Sequence, residues 1–146
     1  MTITARPDLS ALEVPIDAWT EPFWQATAEG ALRLPRCGAC EKFRWPPGPF
    51  CPACHSQSVE WMPAGEARVY SFALVPAGVD KQDLVAPALI EFAAAPGVRL
   101  PAAIVETPVA AICIGAVARM ELSPARNAMV PVFRIEADEL TGTAAR

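Results

Sequence analysis

The sequence predicts a mainly β chain: a short N-terminal helix, a four-cysteine ribbon, and a five-stranded barrel behind it. Three observations carry this. Two Cys-x-x-Cys pairs, Cys37-Gly38-Ala39-Cys40 and Cys51-Pro52-Ala53-Cys54, stand ten residues apart. Five β-like runs follow Gly65 with little helix pattern among them. Prolines number 16 in 146 residues, more than a helical bundle carries and suited to a fold rich in turns.

The first element is an arm. Residues 1–16 hold Pro7 and Pro15 and show no period, so they read as an extended segment that gains order on a partner. A helix follows from Glu21 to Glu29. Thr20 is its N-cap, Pro22 sits in the first turn where a missing N–H does no harm, and Gly30 stops it. Trp19 and Trp24 stand at the two ends of a hydrophobic staple. Trp19, Phe23 and Trp24 load one short helix with aromatic surface. That surface either packs on this chain's own ribbon and barrel or forms a docking face for a partner, where aromatic anchors are enriched.

The ribbon comes next. Ala31–Arg36 reads as the strand entering the first knuckle, Lys42–Trp45 as its return strand, and Val59–Met62 as the strand leaving the second. Four thiolates close a tetrahedral shell around Zn²⁺, so Cys37, Cys40, Cys51 and Cys54 read as a structural Zn(Cys)₄ site. Gly38 eases the first knuckle by tolerating positive φ. The stiff Pro46-Pro47-Gly48-Pro49 segment turns the second knuckle back on the first. Disulfides and a rubredoxin-type iron site are the alternatives; iron–thiolate is coloured and zinc is not. His55 follows Cys54, outside a shell already filled by four sulfurs. Cys113, between Ile112 and Ile114, reads as a buried small hydrophobe.

Beyond Gly65 the runs are Glu66–Pro76, Ala86–Ala94, Val98–Glu106, Ala116–Leu122 and Val130–Ile135. Pro96-Gly97 makes a hairpin of the second and third. Five short strands behind a ribbon suit a small barrel of the OB type, with an open sandwich as the other arrangement. The organisation is then an arm over 1–16, helix and ribbon over 17–62, an OB-fold over 63–137 and a mobile tail over 138–146.

Composition narrows the function. A net charge of −4 and a pI near 5.0 disfavour a nucleic-acid binder, which carries a basic face. Locally, Arg33, Arg36, Lys42 and Arg44 outnumber Glu41 and Glu60 around the cysteines. The N-terminus lacks the pattern of an export signal, and no apolar run is long enough to span a membrane. Five cysteines in such a chain point to the reducing cytoplasm. Catalytic motifs are missing: no glycine-rich phosphate loop, no Gly-x-Ser-x-Gly, and a single histidine. Glu91 and Glu106 on adjacent strands are the one conceivable carboxylate pair. A full Cys₄ shell leaves no open metal position for water.

From Pro22 to Ile135 the chain resembles the DUF35 family, zinc-ribbon plus OB-fold proteins associated with acyl-CoA enzymes. The resemblance rests on Phe23-Trp24, Glu29-Gly30-Ala31-Leu32, both cysteine pairs, Arg44-Trp45-Pro46-Pro47, Gly65 with Val69-Tyr70-Ser71, Gly97-Val98-Arg99 and Ile114-Gly115-Ala116-Val117. His55 departs from it, standing where the family has glycine. The resemblance implies a non-catalytic subunit of a thiolase-superfamily enzyme (a thiolase or thiolase-like aldolase), in an assembly such as α₂β₂. The partner then holds the catalytic residues, and the OB domain helps hold the CoA portion of an acyl-CoA. Arg68, Lys81 and Arg99 are the available phosphate partners. The reading from a different class is a nucleic-acid-binding ribbon/OB protein, and the third an independent enzyme.

Overall fold

The computed structural model describes residues 2–136. The expected tail over 138–146 lies outside them. One helix, α1 (Glu21–Ala28), precedes a two-stranded ribbon sheet of β1 (Arg33–Cys37) and β2 (Val59–Pro63). The barrel follows, from β3 (Ala67–Phe72), β4 (Val75–Ala77), β5 (Asp83–Phe92), β6 (Arg99–Ile104), β7 (Val117–Pro124) and β8 (Met129–Arg134).

Five of these strands close a ring. β3 pairs with β5, β5 with β6, β8 with β7, and β7 returns to β3, all antiparallel. The ring is sealed by a parallel contact of β6 with β8 at Ile104 and Phe133. This order is that of an OB-type barrel, and closure removes the open sheet edges. β5 shows why it forms: Ala86, Ala88, Ile90 and Phe92 are buried while alternate positions are more open, the period of a strand with one face inward. The expected 66–76 run is broken. The register of β3 slips between Val69 and Ser71, and the chain leaves the ring to pair again as β4 with the start of β5. Such a slip bends a strand, so the outer hairpin projects past the barrel.

The helix ends one residue earlier than expected, and its N-terminus is built differently. Thr20 makes no side-chain cap. Instead the Asp17 carboxylate accepts the N–H groups of Trp19 (2.9 Å) and Thr20 (2.8 Å), fixing the entry turn. α1 packs between β1 and β8. Phe23 is the hub, with its ring edge-on to Trp24 at 4.9 Å and 4.7 Å from Trp45. It shares one core with Leu34 of the ribbon and Ile90, Ile104 and Phe133 of the barrel.

The arm is ordered by its own barrel. Thr4 is buried and exchanges backbone hydrogen bonds with the segment after β6: its N–H donates to Thr107 O (2.9 Å), and Glu106 N–H donates to Thr4 O (2.8 Å). Further on, the Asn127 amide accepts from Val14 N–H and donates to Val14 O, both at 2.8 Å. Arg6 lies between Glu106 (2.7 Å) and Glu121, and Arg134 reaches the same two carboxylates. Gly65, at φ +77°, turns the chain from ribbon to barrel; a Cβ there would sit 2.9 Å from the Ala94 Cβ. Among the described residues no helix is long and apolar enough to cross a membrane.

Candidate metal centre

The two knuckles share one backbone design. Cys37 N–H donates to Lys42 O and Glu41 N–H to Cys37 O, at 2.8 and 3.0 Å. Cys51 N–H donates to Ser56 O and His55 N–H to Cys51 O, both at 2.8 Å. Each turn places the residue just after its second cysteine in the left-handed region, Glu41 at φ 66° and His55 at φ 65°. Gly38 is not among the positive-φ residues, which corrects the reason given for it above. Its hydrogen is needed for space: a Cβ there would lie 2.2 Å from Ser58 Oγ on the opposing segment.

These turns bring four sulfurs from distant positions to one point. All four Sγ atoms lie within 4.8 Å of one another, with Cys37–Cys54 at 3.5 Å and Cys40–Cys51 at 3.6 Å. Four sulfurs about 2.3 Å from one tetrahedral ion stand about 3.8 Å apart, so the donor set and its spacing fit Zn²⁺. Backbone N–H groups aim at the buried sulfurs: Ala39 and Cys40 donate to Cys37 Sγ, and Ala53 to Cys51 Sγ, each at 3.4 Å. The N–H groups of Cys40 and Ala39, with the nearby thiols, lower the Cys37 thiol to about 6. Those of Cys54 and Ala53 lower Cys51. For Cys54 the Ser56 N–H acts downward, but the surrounding sulfurs and desolvation prevail and push it up to about 11. The inner sulfurs Cys37 and Cys51 are buried and held toward thiolate, while Cys54 is exposed at the rim.

Other expected residues scatter. Lys42–Trp45 returns along β1 only briefly, through the antiparallel Arg36–Phe43 bridge flanked by Cys37 N–H to Lys42 O and Arg44 N–H to Pro35 O, and the strand paired with β1 over its full length is β2. Phe23 is 2% exposed and belongs to the core, while Trp24 is half-buried and Trp19 is 48% exposed. Glu91 is paired across β5–β6 with Arg99, whereas Glu106 lies past the far end of β6, among Arg6 and Arg134; they form no carboxylate pair. Arg99 stacks 3.9 Å over the Tyr70 ring. Arg68 binds Glu66 and Gly115 O, and Lys81 stands apart in the turn after β4. Cys113 is exposed, not buried. It lines a groove of about 420 Å³ with Arg68, Arg119 and Arg134, a cluster that sequence reasoning missed because strand closure alone brings it together.

Comparison with known proteins follows the same outline. The family description "ChsH2, rubredoxin-like zinc ribbon domain" matches residues 24–60. A solved structure described as the Ltp2-ChsH2(DUF35) aldolase is 29% identical, with a TM-score of 0.71 over 84% of this chain and 98% of its own. In ribbon and fold the chain resembles these DUF35 structures. A DUF35-family protein of unknown function from Sulfolobus solfataricus shares the fold at 18% identity and a TM-score of 0.63, covering 83% of this chain and 85% of its own. A probable enoyl-CoA hydratase alpha subunit from Thermomonospora curvata is 42% identical over 52 residues, 34% of this chain. The match spans only 16% of that relative's length.

Proposed function

We propose that this chain is a non-catalytic subunit of a thiolase-superfamily enzyme acting on acyl-CoA, with Zn²⁺ held by Cys37, Cys40, Cys51 and Cys54. The observation that carries the reading is the likeness, over nearly all of its own length, to a chain of a structure described as an aldolase. The ion's part is structural: four sulfurs saturate it, and it fixes a ribbon whose two short strands bury too little to fold unaided. The chain's own residues fit a supporting role. Its one histidine stands in a tight turn beside the metal site, without a nucleophile arranged against it, so the reacting groups belong to the partner.

Trp19 and Trp24 serve as the docking anchors, and Phe23 holds α1 in place from beneath them. The groove of Arg68, Arg119 and Arg134, lined also by Glu136 and with each arginine paired to a carboxylate that an incoming phosphate would displace, is the side of the barrel proposed for the anionic portion of CoA. Such an assembly pairs the two kinds of chain, as α₂β₂, in the cytoplasm. Co-expression with a thiolase-like chain from the same host, followed by gel filtration and turnover assays, tests it. Co-elution and loss of turnover without this chain are expected. Separate elution at micromolar concentration with unchanged turnover refutes it. The partial match to a hydratase subunit favours a second reading, in which the partner is an enoyl-CoA hydratase; capture from the native host distinguishes the two. Against the nucleic-acid reading, the barrel's Tyr70 ring is already stacked by Arg99.

A further inference from the structure

Arg44 is the most deeply buried arginine given a core position, at 8% exposure, and it has no carboxylate among its described partners. Arg6, Arg36, Arg68, Arg119 and Arg134 are all more exposed, and each has one. Arg44 instead braces the ribbon by polar contacts to backbone. Its N–H donates to Pro35 O (3.1 Å), two residues before Cys37, and its Nη2 donates to Gly48 O (3.1 Å), three residues before Cys51. One residue thus ties together the approaches to both knuckles. Its Nε and Nη1 are buried with no acceptor.

A guanidinium does not shed its proton in a protein. Burying one without an anion nearby costs heavily, so a balancing charge is required. The nearby carboxylates do not supply it: Glu60 is engaged by Arg36, and Glu41 points to solvent in the turn after Cys40. The remaining anionic group of the ribbon is the cysteine cluster, which carries a net charge of −2 as four thiolates around a divalent ion.

We propose that Arg44 is the built-in counter-charge of the metal-loaded Cys₄ centre, and a positioning residue for it. This rests on the zinc reading of the four cysteines. The charge acts across the ribbon interior, where the low dielectric lengthens its reach, and no hydrogen bond to sulfur is involved. The single Nη2 hydrogen bond to Gly48 O holds that charge in place while setting the second knuckle against the first. The arrangement gives the Arg44-Trp45-Pro46-Pro47 segment a division of labour: Trp45 packs on Phe23, and Arg44, lying opposite Pro35 on the strand that ends at Cys37, reaches the spacer before Cys51 at Gly48 O.

The test uses the full chain. Metal content by mass spectrometry comes first; a purified chain without zinc ends the zinc reading itself. With zinc present, affinity is measured by competition with a chromophoric chelator for wild type, Arg44→Met, Arg44→Lys and the exposed control Lys42→Met, at low and high salt. Arg44→Met keeps the side-chain length and removes the charge; its affinity falls about tenfold and the loss persists at high salt. Arg44→Lys keeps the charge without the planar guanidinium and stays within about threefold of wild type. Lys42→Met shows a smaller loss that salt abolishes. Equal losses in Arg44→Met and Arg44→Lys mean a purely structural brace and overturn the proposal, as does an unchanged Arg44→Met. Should Arg44→Met not fold, Arg44→Gln takes its place in the same comparison.

Discussion

The ribbon and the barrel are both small β structures, yet they are held by opposite means. The barrel closes five strands on a continuous core in which Ile90, Ile104 and Phe133 are fully buried. The ribbon has two five-residue strands, and β2 buries none of its residues. Its order comes from four sulfurs, two matched turns and the contacts of Phe23 and Leu34 with the barrel. Hydrophobic burial therefore suffices for one region, and in the other the proposed zinc coordination would substitute for it. The sharpest way to expose this difference is to remove the metal. Chelation is expected to cost the ribbon on the order of 10 kcal/mol of metal-coupled folding energy, and Cys51→Ser a part of that. Amide exchange should rise across residues 31–63 while β5 and β6 stay protected. Equal loss of protection in both regions would mean that the two fold as one unit.

The reverse experiment breaks the barrel. Phe133 sits where β8 meets both β6 and β7, 6.3 Å from the Phe92 ring. Phe133→Ala leaves a cavity at the seam of the ring and should cost about 3–5 kcal/mol. The urea midpoint should fall steeply, while zinc affinity measured below that midpoint changes little. A matching fall in zinc affinity would show that the ribbon leans on the barrel more than on its own sulfurs.

The same division explains what could be read from sequence. The four-cysteine cluster was legible because each knuckle is local: two residues between cysteines, and a proline-rich spacer. Barrel strands were legible where one face alternates inward, as in β5. What escaped was set by distant pairings. Cys113, between Ile112 and Ile114, reads as buried, but the segment leaves a short 3₁₀ turn (Val109–Ala111) with Ile112 inside, Cys113 exposed and Ile114 71% exposed. Arm order depends on Asn127 and Glu121, more than a hundred residues away. An eight-residue helix rich in aromatics does not say which ring meets its own core, so Phe23 was grouped with Trp19 and Trp24.

The two knuckles differ from a shared ideal at one residue each, and this gives a smaller test. Glu41 and His55 both occupy left-handed backbone, where a side chain costs about 1 kcal/mol that glycine does not incur. His55→Gly relieves this but adds freedom to the unfolded chain, so a net gain of about 0.5 kcal/mol is expected. Apparent zinc affinity should rise about twofold. A loss of affinity would mean that the imidazole contributes to the site.

The smallest effect expected lies at the clasp that fixes the arm to the barrel, a third mode of attachment beside metal and core. Arg6 donates to Glu106 and holds its carboxyl below the usual range, with Arg134 adding to the effect; Arg6 itself is raised by the same partners. A carboxylate with a depressed folded pKa stabilises the fold above its unfolded value, and that contribution fades as pH falls through the folded one. The clasp should therefore hold at neutral pH and loosen on acidification. Both partners are partly exposed, so the contribution stays below about 1 kcal/mol and shrinks with salt. Glu106→Gln removes the titrating group while keeping an acceptor. Amide exchange at residues 4–6, followed from pH 7 downward, should then lose the part of its pH dependence that wild type shows beyond intrinsic exchange. If wild type and Glu106→Gln follow the same curve, backbone pairing at Thr4 holds the arm and the ion pairs only decorate it.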